Sequence, residues 1–160
     1  MESSFVAPVQ LDAVDRRLLA ILQNDCWLTN QALAERVHIS PPTCLRRVKR
    51  LVESGVIERQ IAILSPVRVG NTLTAICEIT LERQAAEKLS EFETRVATED
   101  AVQQCYRVSS GPDFVLVILV ADMAAYHALV HRLFTAEANV RNIRTFFAVN
   151  RSKFAPRIQL

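Results

Sequence analysis

Arg46, Arg47, Lys49 and Arg50 crowd one short stretch, and no acid follows Ser40 until Glu53. Such side chains do one kind of chemistry well: guanidinium forks take guanine or phosphate in bidentate fashion, and an ammonium takes phosphate as a point charge. The whole chain carries 19 Lys and Arg against 17 Asp and Glu, a net charge of only +2, so the total hides this local patch. The residues before it fit the same purpose. Ser40 followed by Pro41 is an N-cap and first-turn proline in the order a helix start requires. Pro41, Pro42 and Thr43 then stand at the helix tip with apolar contacts and one hydroxyl to offer. Arg46 and Arg47 lie one turn in, placed for guanine or phosphate, while Lys49 and Arg50 suit phosphate. The competing reading is a solvated basic face on a bundle helix.

A second cluster is Ser109-Ser110-Gly111-Pro112-Asp113, with two hydroxyls, a glycine backbone and a carboxylate between two apolar runs. It can hold the ammonium and carboxylate of a small zwitterion, and it can equally be a polar hairpin. Other constellations are weaker. His127 and His131 share a helix face at metal-ligand spacing, but no third ligand stands nearby, which favours surface histidines. The four cysteines, Cys26, Cys44, Cys77 and Cys105, form no C-x-x-C pair and read as buried, free thiols of a reducing compartment. Trp27, after the first helical segment, is expected to pack beneath it. Nothing matches a nucleophile elbow, a phosphate-cradling glycine loop or a carboxylate pair, and 3 glycines leave little for tight ligand loops. No catalysis, cofactor or metal is expected.

The elements that position these residues follow from hydrophobic period. Leu11, Val14, Leu18, Leu19, Ile21 and Leu22 recur at helical spacing, with Asp12 and Asp15 near the positive end. Thr29 can cap a short second helix over Asn30 to Val37. The third helix runs from Pro41 to Ser54 and stops at Gly55; Cys44, Val48 and Leu51 share its inner face, and Thr43, Arg46, Lys49 and Arg50 turn outward. Two helices, a tight turn at His38 and Ile39, and a basic helix make a helix-turn-helix. Arg59 to Leu64 alternate weakly and predict a short strand. Pro66 and Gly70 mark a linker over 65–71, which divides the chain into a DNA-binding domain at 1–64 and a second domain at 72–160.

From Leu73 the period changes to two, with Ala75, Cys77, Ile79 and Leu81 on one face. A helix over Gln84 to Val96, strands at Val102 to Val108 and Phe114 to Val120, a helix capped by Asp122 reaching about Ala136, and a strand at Asn142 to Val149 follow. The order β-α-β-β-α-β is the split, ferredoxin-like unit, so the fold class is α+β.

Composition bounds the rest. In 160 residues, half are apolar and 22% charged, which describes a well-buried globular chain. The longest apolar run, Phe114 to Ala121, falls far short of the roughly 20 residues of a membrane span. Met1 to Gln10 holds neither the basic nor the apolar region of a secretory signal, so no membrane association and a cytoplasmic location are expected.

These segments together resemble the Lrp/AsnC (leucine-responsive, asparagine-regulator) family of transcription factors. The resemblance covers roughly Leu11 to Lys153. It rests on LDAVDRRLLAILQND, on LAERVHISPPTCLRRVKRLVESGVI, on the split βαβ order, and on Asp113-Phe114 with Val120-Ala121-Asp122-Met123. It implies regulation of transcription on double-stranded DNA, a homodimer pairing its sheets, further association, often to an octamer, and an amino-acid effector. Effector contacts are then expected from Ser109, Ser110, Gly111, Pro112 and Asp113, and from Asn139 and Val140. Where the family has glycine this chain has Ser110, with the glycine one place later at Gly111. Its proline-glycine-valine before the last strand reads Ala138-Asn139-Val140. An architectural protein that bends or wraps DNA without an effector is the alternative from another class.

Overall fold

The computed structural model describes residues 8–135 and 139–160 and divides them into two compact units. One spans Leu64–Ser152; the other takes the chain up to Ile63 together with Lys153–Leu160. The last eight residues thus group with the helical unit, where the sequence placed them in the second domain.

The helical unit holds α1 (Ala13–Leu22), α2 (Asn30–Val37) and α3 (Pro41–Glu53). Asp12 and Asp15 close a reciprocal capping box on α1, the Asp12 carboxylate accepting from Asp15 N at 2.8 Å. Thr29 caps α2 as the sequence suggested, accepting from Ala32 N at 3.2 Å. Ser40 occupies the N-cap position of α3, but its hydroxyl meets Thr43 Oγ1 at 2.8 Å and makes no cap to the backbone. Pro41 and Pro42, lacking N–H groups, remove two of the donors such a cap would serve. Between α2 and α3, His38 takes a left-handed conformation (φ 58°), tightening the turn. Leu18, Leu33, Ala34, Val37 and Cys44 are the buried centre where the three helices meet.

Arg59 to Leu64 do not form the expected strand. Among the described residues this stretch pairs with nothing and leaves Ile61, Ile63 and Leu64 exposed, because an alternating run becomes a strand only when another edge accepts its hydrogen bonds. Trp27 does not pack under α1 either. It is 83% exposed, held outward by an Asp25 carboxylate that accepts from its backbone N–H at 3.0 Å. The tail lies along α1, where Gln23 donates to Ile158 O at 3.1 Å and accepts from Ile158 N at 2.7 Å.

The second unit contains β1 (Leu73–Leu81), α4 (Ala86–Ala97), β2 (Val102–Arg107), β3 (Phe114–Val120), α5 (Met123–Val130) and β4 (Val140–Phe147). The antiparallel sheet has the order β2-β3-β1-β4, which the split βαβ connection dictates. Ala75, Cys77, Ile79 and Leu81 of β1 and Phe114, Leu116 and Ile118 of β3 face the helices and are buried. Phe92 of α4 stacks on Phe114 at 4.6 Å between centroids. Asp122 caps α5 through Ala125 N at 2.8 Å. The helix gives way to a π-turn over His131–Thr135, and its expected end at Ala136 lies outside the described residues.

Two cysteines depart from expectation. Cys44 and Cys77 are buried, but Cys26 is half-buried and Cys105 exposed, because β2 is an edge strand. The Cys105 thiol is still pushed up to about 11, by desolvation first and by Glu93 second.

Candidate functional site

Helix α3 has three faces with different employments. Cys44 and Leu51 point into the core. Arg47 and Arg50 turn toward α1, and half-buried Thr43 meets Ser40. Pro42, Leu45, Arg46 and Lys49, spaced at i, i+3, i+4 and i+7, look into solvent. Thr43 and Arg50 do not share the outward stripe of Arg46 and Lys49 as the sequence had them.

The face toward α1 is an ion-pair network. Arg47 Nη1 lies 2.6 Å from Asp12 Oδ2 and 2.9 Å from Asp15 Oδ1, and Arg50 Nη2 pairs with Asp15 Oδ2. The Asp15 side chain is only 1% exposed and is met by both guanidinium groups. Arg47 Nε is itself buried and without a hydrogen-bond partner. Hydrogen bonds to Asp12 first and Asp15 second hold the Arg47 pKa above its ordinary value. Arg47, placed by sequence for guanine or phosphate, is therefore turned away from the solvent-facing stripe, and Arg50 pairs with Asp15.

The Asp12 carboxyl is lowered from 3.8 to about 2, chiefly by the Asp15 backbone N–H and next by Arg47. Since the folded value lies below the unfolded one, its stabilising contribution is complete above about pH 4 and is lost as pH falls toward 2. Urea midpoints measured by circular dichroism over that range are expected to fall with pH, and less steeply in Asp12→Asn. Equal slopes would show that this carboxylate is not linked to folding.

At the far end of β1 the second candidate site assembles. The turn from Ser109 to Asp113 is built around Gly111 at φ 93°, a backbone favouring glycine, with Ser109 and Ser110 exposed and Pro112 half-buried. Asp113 does not stand open as the sequence pictured it. Its Oδ2 accepts from Leu81 N at 2.7 Å, and its own N–H donates to Ile79 O at 2.8 Å. Leu81 lies two residues beyond Ile79, where the β1–β3 pairing ends at Phe114, so the carboxylate carries that ladder one step past its last backbone pair. Asn139, before Val140, clips the same strand end: Nδ2 donates to Arg83 O at 3.1 Å, and Oδ1 accepts from Arg83 N at 3.0 Å. Two segments far apart in sequence thus converge on Leu81 to Arg83. Ala138 lies outside the described residues. His127 and His131 are exposed on the surface.

The pattern described as the Lrp/AsnC ligand binding domain matches residues 74–158, and that described as winged helix-turn-helix DNA-binding matches 11–58. The leucine-responsive regulatory protein of Rhizobium meliloti is 37% identical over 155 residues, covering 97% of this chain and 99% of that one.

The chain belongs to the Lrp/AsnC family.

As an Lrp/AsnC protein it is a DNA-binding transcriptional regulator with a ligand-binding domain. The leucine-responsive regulatory protein of Escherichia coli K12 is 35% identical over 148 residues, covering 92% of this chain and 90% of its own length. Among solved structures, an AsnC family regulator from Agrobacterium tumefaciens superposes with TM-score 0.87 at 34% identity, covering 93% of this chain and 97% of its own. A Neisseria meningitidis regulator solved as an L-Met complex gives TM-score 0.87 at 29% identity, with coverages of 94% and 97%. No helix among the described residues is long and apolar enough to cross a membrane.

Proposed function

We propose that this Lrp/AsnC regulator is a cytoplasmic homodimer, assembling further, whose DNA affinity is set by an amino acid bound beside the Ser109–Asp113 turn. The observation that carries the effector reading is the convergence of that turn and of Asn139 on the end of β1. Asp113 is anchored there through Oδ2, which leaves Oδ1 as the oxygen an α-ammonium would meet, and the turn around Ser110 and Gly111 offers N–H groups for an α-carboxylate. The related Neisseria protein solved with L-Met supports an amino acid as the ligand class.

The sheet supports the dimer. Its helix-free face carries Ile76 opposite Val117 and Phe146, with Ile76 39% and Phe146 43% exposed, although an open antiparallel face is ordinarily polar. A second copy of the same sheet would cover it. On DNA, Pro42, Arg46 and Lys49 are the contacts of α3, while Ser40 and Pro41 set its start and Arg47 its orientation.

Calorimetric titration of the full chain with each of the twenty amino acids is expected to give saturable heat from at least one. Absence of heat from all of them would replace this reading with an architectural DNA protein that needs no effector.

A further inference from the structure

We infer that Leu45, one turn from Pro42 on the solvent face of α3, reads the C5-methyl group of a thymine in the major groove. The inference rests on α3 being the groove helix. Three observations lead to it. First, Asp12 and Asp15 draw Arg47 and Arg50 toward α1, which leaves a free stripe made of Pro42, Leu45, Arg46 and Lys49. Second, Leu45 is 59% exposed in the middle of the first two turns, where a helix in the groove comes nearest to base edges. Third, Pro42 and Leu45 sit one turn apart and form an apolar step flanked by two cations.

The chemistry of the groove selects the occupant. Phosphates and the N7, O6, O4 and amino edges are polar, and the thymine methyl is the apolar feature the major groove presents. An isobutyl group offered to polar edges would strip water from them and give nothing back, whereas against a methyl it removes apolar area from water on both sides. The cations match the rest of the occupant. Arg46 can fork onto a neighbouring guanine or a phosphate, and Lys49, held only loosely by Glu53 at 3.7 Å, can meet the backbone. The stripe therefore describes an adjoining thymine and cation-binding step within each half-site.

The test begins with duplexes selected from random sequence by the full chain. Each thymine of the selected half-site is then replaced by deoxyuridine, which removes only the methyl group. One position is expected at which this costs the parent protein about fourfold in affinity, the value of one buried methyl-sized group. Leu45→Ala should bind the parent duplex at least that much more weakly, show no further loss on the deoxyuridine duplex, and lose its preference at that base pair in a repeated selection. Leu45→Met, which keeps the apolar reach, should retain the preference. Arg46→Ala serves as the reference for the helix itself and is expected to weaken binding about tenfold. Loss of binding in Arg46→Ala without any thymine coupled to Leu45 overturns the inference and leaves α3 in the groove. No loss in either variant overturns both. A changed sedimentation coefficient in Leu45→Ala with DNA binding intact makes the face a protein contact and also overturns it.

Discussion

Asp15→Ala is expected to destabilise the helical unit by about 3 kcal/mol, because it removes a buried carboxylate that pairs with two arginines of α3. The figure lies at the low end for a broken buried pair, since Arg47 and Arg50 are 26% and 51% exposed and solvent recovers part of the loss. Asp15 also closes the capping box of α1 by accepting from Asp12 N at 3.2 Å, so the substitution loosens the start of α1 as well as its docking to α3. Urea unfolding followed by circular dichroism should show a lower midpoint for the helical transition with an unchanged slope. Asp15→Asn, which keeps an acceptor without the charge, should fall between. Operator affinity should drop together with stability in Asp15→Ala, because α3 loses its fixed orientation before it meets DNA. Parental stability in Asp15→Ala would mean that the network holds nothing. Arg47→Ala belongs with this group, as a variant that acts on helix placement, while Arg46→Ala acts on contact.

Asp113→Ala should leave the Leu81 N–H without its acceptor at the end of the β1–β3 ladder, costing the second unit about 1.5 to 3 kcal/mol, the usual range for a hydrogen bond to a charged group. Where Asp113 also meets the ammonium of an amino acid, effector affinity should fall by roughly 10-fold to 150-fold in the same variant. Asp113→Asn separates the two roles. Its amide oxygen can still accept from Leu81, so most of the stability should return, whereas the missing charge keeps effector binding weak. DNA affinity without effector should match the parent in both variants. Thermal unfolding beside calorimetric titration reads these outcomes, and parental values of both quantities in Asp113→Ala would remove the residue from any role at this end of the sheet.

How much of this the sequence carried can be argued element by element. The apolar period of 3.6 that marks α1 to α3, the Ser40-Pro41 start and the Gly55 stop are local signals, and each helix lies within a few residues of its expected bounds. The shift to a period of two at Leu73, the glycine turn at Gly111 and the Asp122 cap are local as well, and together they leave the split βαβ order and its antiparallel sheet little freedom. The candidate positions could be named from the sequence only as regions: the basic helix, and the turn with Asn139. Leu45 drew no reading from the sequence, and its exposure appears only in the folded helix.

Tertiary structure decided what each polar side chain does, because that depends on partners brought from far away. Arg47 meets Asp15 across 32 positions and Arg50 meets it across 35, and only the crossing of α1 and α3 turns these two arginines inward while Arg46 stays out. Asp113 reaches the Leu81 backbone across 32 positions, past the end of the β1–β3 ladder, where no alternation of residues announces it. The same reason separates Cys44 from Cys105 and leaves Trp27 in solvent: burial is set by what packs above a residue, and sequence period states only which face it shares. Helices, strands and their order thus followed from near-neighbour spacing in the chain, and which arginines of α3 pair with α1 followed from where those two helices meet.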